Sequence, residues 1–227
     1  MERETLTDMI KYVIFDMDGT LLDTEPLYEK SWVDIGERWG LDGMAEKYPL
    51  IVGRSIESIC LMMKEWFGED FDASGFFAER MKCFVELIEK EIPVKDGCME
   101  LLEFLKRQSI PMAIATSTPM YITSSNMQKT GIGKYADAVV TAEAVKNGKP
   151  APDIFIEAAV RIGADPLYTV VCEDSINGIR GAHRAAMKPI MVVDRLAPTE
   201  ETEELCYAIC NSLFDVMELI KKENKIN

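Results

Sequence analysis

The sequence predicts an α/β protein: a parallel sheet with helices on both faces, into which a small α-helical domain is inserted. The sheet is predicted by five short apolar runs rich in valine and isoleucine, and by amphipathic segments that alternate with the later runs. The insertion is predicted by spacing. Phe15 and Ala115, which end the first two runs, lie about 100 positions apart, whereas one strand–helix–strand unit needs roughly 30 residues.

The predicted elements follow the chain in a regular order. The runs are too continuously apolar for strands with one face in water, so each is expected to be covered on both faces. They lie at residues 11–15, 111–115, 136–140, 168–172 and 189–193. Start and stop signals place three helices between the later runs: Thr118-Pro119 to Gly131, Pro152-Asp153 to Gly163, and a helix capped by Ser175.

The inserted domain is expected to span residues 26–92, which leaves residues 1–25 and 93–227 for the sheet domain. Three stretches of the insertion have helical periodicity. The first places Tyr28, Trp32, Ile35 and Trp39 on one face. We interpret these side chains as part of the inserted domain's own hydrophobic core rather than as a cofactor pocket.

Composition narrows the class of protein and its partners. Of the 227 residues, 48% are hydrophobic and 28% are charged, as in globular proteins. The net charge of −14 disfavours binding to nucleic-acid phosphates. No apolar window is long enough for a membrane helix, and the first residues do not have the pattern of a signal peptide. A cytoplasmic location without nucleic-acid or membrane partners is therefore expected.

Polar residues follow the predicted strands in a consistent way. They are Asp16 and Asp18 after the first run, Thr116 after the second, Lys149 in the loop after the third, and Glu173-Asp174 after the fourth. The carboxyl ends of parallel strands meet at one edge of a sheet, where open α/β proteins bind their ligands. These side chains are therefore expected to converge.

The two aspartates of the first stretch, taken alone, leave a turn, a metal site and a nucleophile all open. Combined with a lysine and a hydroxyl they suit phosphoryl transfer, in which Asp16 attacks phosphorus and Asp18 gives a proton to the leaving alcohol and later takes one from water. Lys149 supplies positive charge for the phosphoryl oxygens, and Thr116 supplies a hydroxyl. The backbone N–H of Ser117 lies at a predicted helix N-terminus, which favours anions.

Magnesium is the expected cofactor. Because Mg²⁺ prefers oxygen ligands and keeps several waters, Asp16 and Asp174 with one backbone carbonyl would suffice to hold it. Glu173 is expected beside these ligands, or as an alternative ligand.

The sequence resembles the haloacid dehalogenase-like hydrolase superfamily, in the subgroup with a helical cap between the first and second motifs. The matching stretches are DMDGTLLDTE, IATST, NGKPAPDIF and VVCEDSINGIRGA. The resemblance covers nearly the whole chain and implies a Rossmann-like core and an aspartyl-phosphate on Asp16. It also implies acid/base catalysis by Asp18, and phosphoryl binding by Thr116 and Lys149. Magnesium would be held by the Asp16 carboxylate, the Asp18 carbonyl and Asp174.

Within that superfamily the sequence is similar to β-phosphoglucomutases and related sugar-phosphate phosphatases, through its Asp-Thr-Glu and Lys-Pro-Ala-Pro signatures. The mutases carry a histidine where this chain has Tyr28. They also carry a lysine before a cap glycine and an arginine three residues after it, where this chain has Val52 and Ile56 around Gly53. A second phosphate site in the cap is thus poorly supported. A phosphatase acting on a small sugar or polyol phosphate is expected, with Tyr28 and Arg54 in contact with the substrate.

Two other functions are compatible with parts of the pattern. One is a β-phosphoglucomutase or another hexose-phosphate mutase. The other is a phosphoacceptor signalling domain, because response-regulator receivers also combine aspartate, threonine or serine, lysine and Mg²⁺ on a parallel sheet. Receivers lack a helical insertion and an acid/base residue like Asp18, so an enzyme is favoured. The expected partner is a small-molecule phosphate ester, and the chain is expected to be a monomer or a weak homodimer.

Overall fold

A computed structural model describes residues 9–54 and 56–226 of the chain. These residues form a six-stranded parallel sheet in the order β3-β2-β1-β4-β5-β6. The strands are β1 (Tyr12–Phe15), β2 (Met112–Thr116), β3 (Ala138–Thr141), β4 (Thr169–Glu173), β5 (Lys188–Val192) and β6 (Ala208–Cys210). The predicted α/β class with a Rossmann-like parallel sheet is confirmed, and the strand order reverses beside β1, where such sheets bind ligands.

Each of the five predicted apolar runs overlaps one strand, with ends that agree within two residues, and the sixth strand is not predicted. β6 has only three residues, and it lies at an edge of the sheet, where it pairs with β5. A run this short cannot be distinguished from a loop by its apolar pattern. The miss therefore reflects the length of the strand rather than a different fold.

Helices cover the sheet and build the insertion. They are α1 (Glu25–Arg38), α2 (Met44–Lys47), α3 (Ile56–Phe67), α4 (Ala73–Lys90), α5 (Cys98–Arg107), α6 (Met120–Thr130), α7 (Asp153–Ile162), α8 (Ile176–Arg184), α9 (Glu200–Leu205) and α10 (Leu213–Glu223). The predicted ends are present: Gly131 and Gly163 adopt left-handed conformations after α6 and α7, and the Ser175 hydroxyl accepts from the N–H of Gly178 at the start of α8.

One face of the sheet packs against α7 and α8. Ile14, Ala113 and Val171 from three adjacent strands contact a cluster that includes Phe155 of α7 and Ala182 of α8. All five side chains are at most 1% exposed. Small residues on the strands let the helices approach closely, which fixes the loops at the carboxyl ends of the strands.

The chain divides into two compact units. A sheet unit comprises the residues through Asp23 and those from Val94 onward, and a helical unit comprises Thr24–Pro93. The expected insertion, residues 26–92, differs from the second unit by one or two residues at each end. In the described part of the chain, no helix has both the length and the apolar character that crossing a bilayer requires.

The two crossings of the chain between the units are fixed side by side within the sheet unit. Leu22 and Val94 form an antiparallel bridge, and the N–H of Lys95 donates to the carbonyl of Leu21 over 3.0 Å. The ammonium of Lys95 lies 3.1 Å from the Asp23 carboxylate and 2.6 Å from that of Asp194. Backbone pairing and ion pairs thus hold residues 21–23, which precede the insertion, next to residues 94–95, which follow it.

Aromatic side chains form the centre of the helical unit. Phe76 is fully buried, and its ring lies edge-on to Trp32 and Trp39 at centroid distances of 5.1 and 5.6 Å. The indole N–H of Trp32 donates to the carbonyl of Met44 over 3.1 Å, which satisfies the polar atom of this buried ring. The predicted aromatic face of α1 is therefore core.

We expect Phe76→Ala to destabilise the helical unit by about 3–5 kcal/mol, because it removes a fully buried ring that the surrounding aromatic side chains cannot replace. All three tryptophans of the sequence lie in this unit, so urea unfolding followed by tryptophan fluorescence measures it. Phe77→Ala is the control, since Phe77 is only half-buried. Equal unfolding midpoints for the two variants would contradict the assignment of Phe76 to the centre of this core.

Candidate active site

The polar residues predicted to converge lie at one edge of the sheet. Asp16 directly follows β1, Thr116 ends β2 and Glu173 ends β4. Because β1 pairs with both β2 and β4, these three side chains come from neighbouring strands. Sheet topology alone accounts for this part of the site.

Lys149 joins two of these strands through its ammonium group. It forms a close ion pair with Oδ1 of Asp16 and a second one, at 2.6 Å, with Oε1 of Glu173. The three side chains are 8%, 9% and 1% exposed respectively. The loop after β3 thus delivers a buried positive charge to the carboxyl ends of β1 and β4.

Both oxygens of Glu173 are engaged by the protein. Oε1 faces Lys149, and Oε2 accepts from the backbone N–H and the hydroxyl of Ser175, each over 2.8 Å. A Cβ at Gly178 would lie 1.9 Å from the Glu173 carboxyl group, so only glycine fits at that position of α8. This packing holds Lys149 in place, and a metal-binding role of Glu173 stays a prediction.

The charges at this edge of the sheet are unbalanced. Burial raises the pKa of Asp16 to about 8; Lys149 opposes this shift, and Glu173 and Asp18 add to it. Burial alone would lower the pKa of Lys149, but the two carboxylates beside it raise that pKa above its ordinary value. Burial likewise raises the pKa of Asp174 well above its usual range, and Glu173 and Asp16 contribute further.

Asp18 is held by two threonines, Thr116 at the end of β2 and Thr118 in the loop that follows. The hydroxyl of Thr118 donates to Oδ2 of Asp18 over 2.6 Å, and that of Thr116 reaches the same oxygen at 3.4 Å. The N–H of Thr118 donates to the Thr116 hydroxyl over 3.0 Å. Ser117 between them is exposed, and its predicted contact with substrate is not tested. The sequence pattern predicts Thr118 only as a helix start, because its partner Asp18 lies 100 positions away.

The residues present fit a magnesium ion. Asp16 and Asp174 provide two carboxylates in a region with one buried lysine, so a cation would offset the burial and the mutual repulsion that raise both pKa values. A Cβ at Gly19 would lie 2.5 Å from Oδ2 of Asp174, which shows how closely that carboxylate approaches the Asp-x-Asp-Gly loop. The hydroxyl of Thr20 donates to its other oxygen over 3.2 Å.

This arrangement is not a complete cage of metal-binding side chains. Among the described residues, no group of three or more His, Cys, Asp or Glu side chains is placed to hold a metal ion. Mg²⁺ does not need one, because it commonly binds through one or two carboxylates and fills its remaining positions with waters and substrate oxygens. Asp16 and Asp174, with the backbone carbonyl of Asp18, would be its ligands.

The helical unit contains a separate cavity of about 220 Å³. Tyr28 and Arg54, the two substrate-binding residues predicted for the insertion, both line it. Glu25, Tyr48 and Arg80 also line it and were not predicted. Their positions along the chain, 25, 48 and 80, carry no local pattern that brings them together, so only tertiary packing reveals the group.

Polar groups in this cavity are oriented by the protein. The hydroxyl of Tyr48 donates to Oε2 of Glu25 over 3.0 Å, and the guanidinium of Arg80 lies 5.1 Å from the centre of the Tyr28 ring. Burial lowers the pKa of Arg80, and its Nε–H has no hydrogen-bond partner among the described residues. Arg54 is exposed and donates its Nε–H to the carbonyl of Leu50. The cavity thus combines one carboxylate, two guanidinium groups and aromatic walls.

Comparison with known proteins identifies the family. A family profile described as haloacid dehalogenase-like hydrolase matches residues 10–186, which is more than half of the chain. The chain belongs to this hydrolase family. The membership predicted from the four sequence motifs is confirmed.

Two similar proteins with phosphatase names support this family assignment. A phosphorylated carbohydrates phosphatase of Thermotoga maritima is 36% identical over 184 residues, covering 78% of this chain and 82% of the relative. A fructose-1-phosphate phosphatase of Escherichia coli strain K12 is 32% identical over 182 residues, covering 79% of this chain and 95% of the relative. Both relatives are aligned over most of their own length.

Solved structures share the fold of the hydrolase. A family IA hydrolase from Entamoeba histolytica has a TM-score of 0.78 at 25% identity, with 95% of this chain and 100% of that chain covered. A β-phosphoglucomutase from Clostridium difficile has a TM-score of 0.75 at 23% identity, with 96% and 98% covered. The second likeness concerns the fold alone and does not favour mutase activity.

We expect Mg²⁺ to raise the melting temperature of the wild-type hydrolase and not that of Asp174→Asn. Without metal, the pKa of Asp174 is higher in the folded state than in the unfolded state, where it is about 3.9. Ionisation of this carboxyl therefore lowers the free energy of unfolding as the pH rises above about 3.9. Asparagine lacks that charge, and the metal-free variant should melt at or above the wild-type temperature at pH 7.5. Each kcal/mol corresponds to roughly 2–4 °C.

Differential scanning fluorimetry with and without Mg²⁺ measures this difference directly. Asp42→Asn, which changes an exposed aspartate, is the matched control and should retain the wild-type shift. An equal Mg²⁺ shift in Asp174→Asn and wild type would exclude Asp174 as a ligand.

Proposed function

We propose that this hydrolase is a Mg²⁺-dependent phosphatase that hydrolyses a small phosphorylated carbohydrate or polyol through an aspartyl-phosphate on Asp16. One observation carries the proposal: the buried Lys149 contacts the carboxylate of Asp16 at the edge of the sheet where Asp18 and Thr116 also lie. This contact supports the proposal, because it joins the loop after β1, which carries the proposed nucleophile and the proposed proton-transfer group, to the loop after β3, which carries the cation for the phosphoryl oxygens. The phosphatase activity named for two relatives supports it.

In the first step, Asp16 attacks phosphorus while Asp18 gives a proton to the departing alcohol oxygen. Lys149 and the Thr116 hydroxyl bind phosphoryl oxygens, whose negative charge grows as the bond to the alcohol breaks. The exposed N–H of Ser117, close to the N-terminus of α6, is a further donor for the same group. In the second step, Asp18 takes a proton from water as the water attacks phosphorus. The bond between Asp16 and phosphorus breaks, which regenerates the Asp16 carboxylate and frees inorganic phosphate.

Magnesium, when bound, neutralises charge between the nucleophile and the phosphoryl oxygens, so that the two anions can approach each other. Asp16 and Asp174 would hold it together with the carbonyl of Asp18. Glu173 orients Lys149 through the ion pair at 2.6 Å.

The side chains that line the cavity of the helical unit favour a polyhydroxylated class of substrate. Glu25, Tyr48 and Arg80 offer both acceptors and donors for hydroxyl groups, while the rings of Tyr28 and Trp32 form part of the apolar wall. Its volume of about 220 Å³ suits a small metabolite. The relatives named for phosphorylated carbohydrates and fructose 1-phosphate favour the same class. The expected cytoplasmic location and the monomer or weak homodimer stay predictions.

We expect phosphate release from a panel of phosphometabolites to be highest for hexose, pentose and polyol phosphates, and low for nucleotides and phosphoamino acids. Malachite green detection with Mg²⁺ measures it. The mutase alternative is tested with β-glucose 1-phosphate: formation of glucose 6-phosphate without free phosphate would establish a mutase and contradict the proposal. Release of free phosphate from β-glucose 1-phosphate would exclude the mutase alternative.

Asp16→Asn is expected to lower turnover by about 10⁴-fold or more, because the amide cannot form the acyl-phosphate bond. EDTA should abolish wild-type turnover, and added Mg²⁺ should restore it. Assays use p-nitrophenyl phosphate, with Asp42→Asn as a control that should stay within about twofold of wild type. Turnover that survives both Asp16→Asn and EDTA would refute the mechanism.

A further inference from the structure

Thr118 makes the shorter of the two hydroxyl contacts to Asp18 from the loop after β2. Its hydroxyl oxygen lies 2.6 Å from Oδ2 of Asp18, a distance typical of a strong O–H···O⁻ hydrogen bond. Thr116 contacts the same oxygen at 3.4 Å, which is weak. In the proposed function Thr116 binds the phosphoryl group, so it cannot also be the main support of Asp18.

The backbone of Thr118 is fixed on both sides. Its N–H donates to the Thr116 hydroxyl over 3.0 Å, and its carbonyl accepts from the hydroxyl of Thr123 in α6 over 3.1 Å. Pro119, which follows it, is the N-cap of α6 and restricts the chain further. Thr118 therefore presents its hydroxyl from a rigid turn rather than from a mobile loop.

The backbone of Asp18 is fixed as well. Asp18 pairs with Leu22 in an isolated bridge, and the N–H of Gly19 donates to the carbonyl of Leu22 over 2.8 Å. With both backbones fixed, the short bond from Thr118 to Oδ2 restricts the rotation of the Asp18 carboxyl group. That rotation decides in which direction its proton can be delivered.

The geometry points to Thr118 as a positioning residue for the acid/base Asp18. The Thr118 hydroxyl can donate to Oδ2 when Asp18 is a carboxylate and also when Asp18 carries its proton on Oδ1, so it can hold Asp18 in both protonation states and leave that proton for the alcohol oxygen. In the first step the proton of Asp18 moves to the alcohol oxygen as the P–O bond breaks, and in the second a water proton returns to Asp18. Thr118 loses no proton in either step. This inference rests on the proposed function.

Leaving groups of different acidity test this inference. Thr118→Val keeps the size and branching of the side chain and removes the hydroxyl, and Thr118→Ser keeps the hydroxyl. An alkyl phosphate, the best sugar phosphate of the panel, needs a proton on its leaving oxygen, whereas p-nitrophenyl phosphate needs little help because p-nitrophenolate is stable.

We expect Thr118→Val to lower kcat/KM for the sugar phosphate by roughly 10- to 100-fold, part of the 10²–10⁴-fold that general acid catalysis supplies. For p-nitrophenyl phosphate the loss should stay below about threefold, and Thr118→Ser should restore both values to within about threefold of wild type. Asp18→Asn is the reference and should show the same dependence on leaving group, only larger. Thr118→Ala is a second variant if valine impairs folding, which circular dichroism and the melting temperature monitor.

Each outcome is decisive. Equal losses on the two substrates would show a general disturbance of the site and overturn the inference, as would wild-type rates for Thr118→Val on the sugar phosphate. Failure of serine to restore activity would also overturn it. If the wild type hydrolyses both substrates while Asp18→Asn shows no dependence on leaving group, the assignment of Asp18 as the acid fails. If the wild type hydrolyses neither substrate, the proposed function itself fails.

Discussion

The carboxyl edge of the sheet is organised around one buried ion pair system, in which Lys149 contacts both Asp16 and Glu173. It exists because β1 and β4 are neighbours in the sheet, which brings the two carboxylates together, and because the loop after β3 carries the lysine to them. Other features maintain it: Ser175 binds the second oxygen of Glu173, and Gly178 leaves room for that side chain. Three loops and one helix start are arranged around a single ammonium group.

This arrangement lowers the stability of the folded sheet unit, because it buries several carboxylates beside one lysine. Asp16, Glu173 and Asp174 lie close together with one buried lysine among them, so burial and mutual repulsion raise the pKa values of Asp16 and Asp174. A core built only for stability would contain apolar side chains at such positions, since buried charges are seldom compensated in full. The excess negative charge favours the binding of a divalent cation there. Under the proposed function, a bound divalent cation would relieve this imbalance and help the site to accept an anionic phosphate ester.

Much of the fold was readable from the sequence because local signals and long-range structure agreed. Apolar runs marked five of the six strands, and Gly131, Gly163 and Ser175 marked helix ends correctly. Residues at strand ends could be grouped because parallel topology brings them together. Arg80 and Thr118 could not be assigned roles, since Arg80 contributes to a cavity through tertiary packing, and the hydroxyl of Thr118 meets a side chain 100 positions away. β6 was too short to be seen.

The bridge between Leu22 and Val94 has a consequence for how such proteins diversify. The polypeptide leaves the sheet unit and returns to it at adjacent points that are tied together by the sheet unit's own hydrogen bonds and by Lys95. Whatever lies between them does not have to span a distance or carry tension, so segments of other lengths and sequences can be accommodated there. Replacement of one contiguous gene segment would thus exchange the whole helical unit and leave every residue of the sheet unit unchanged.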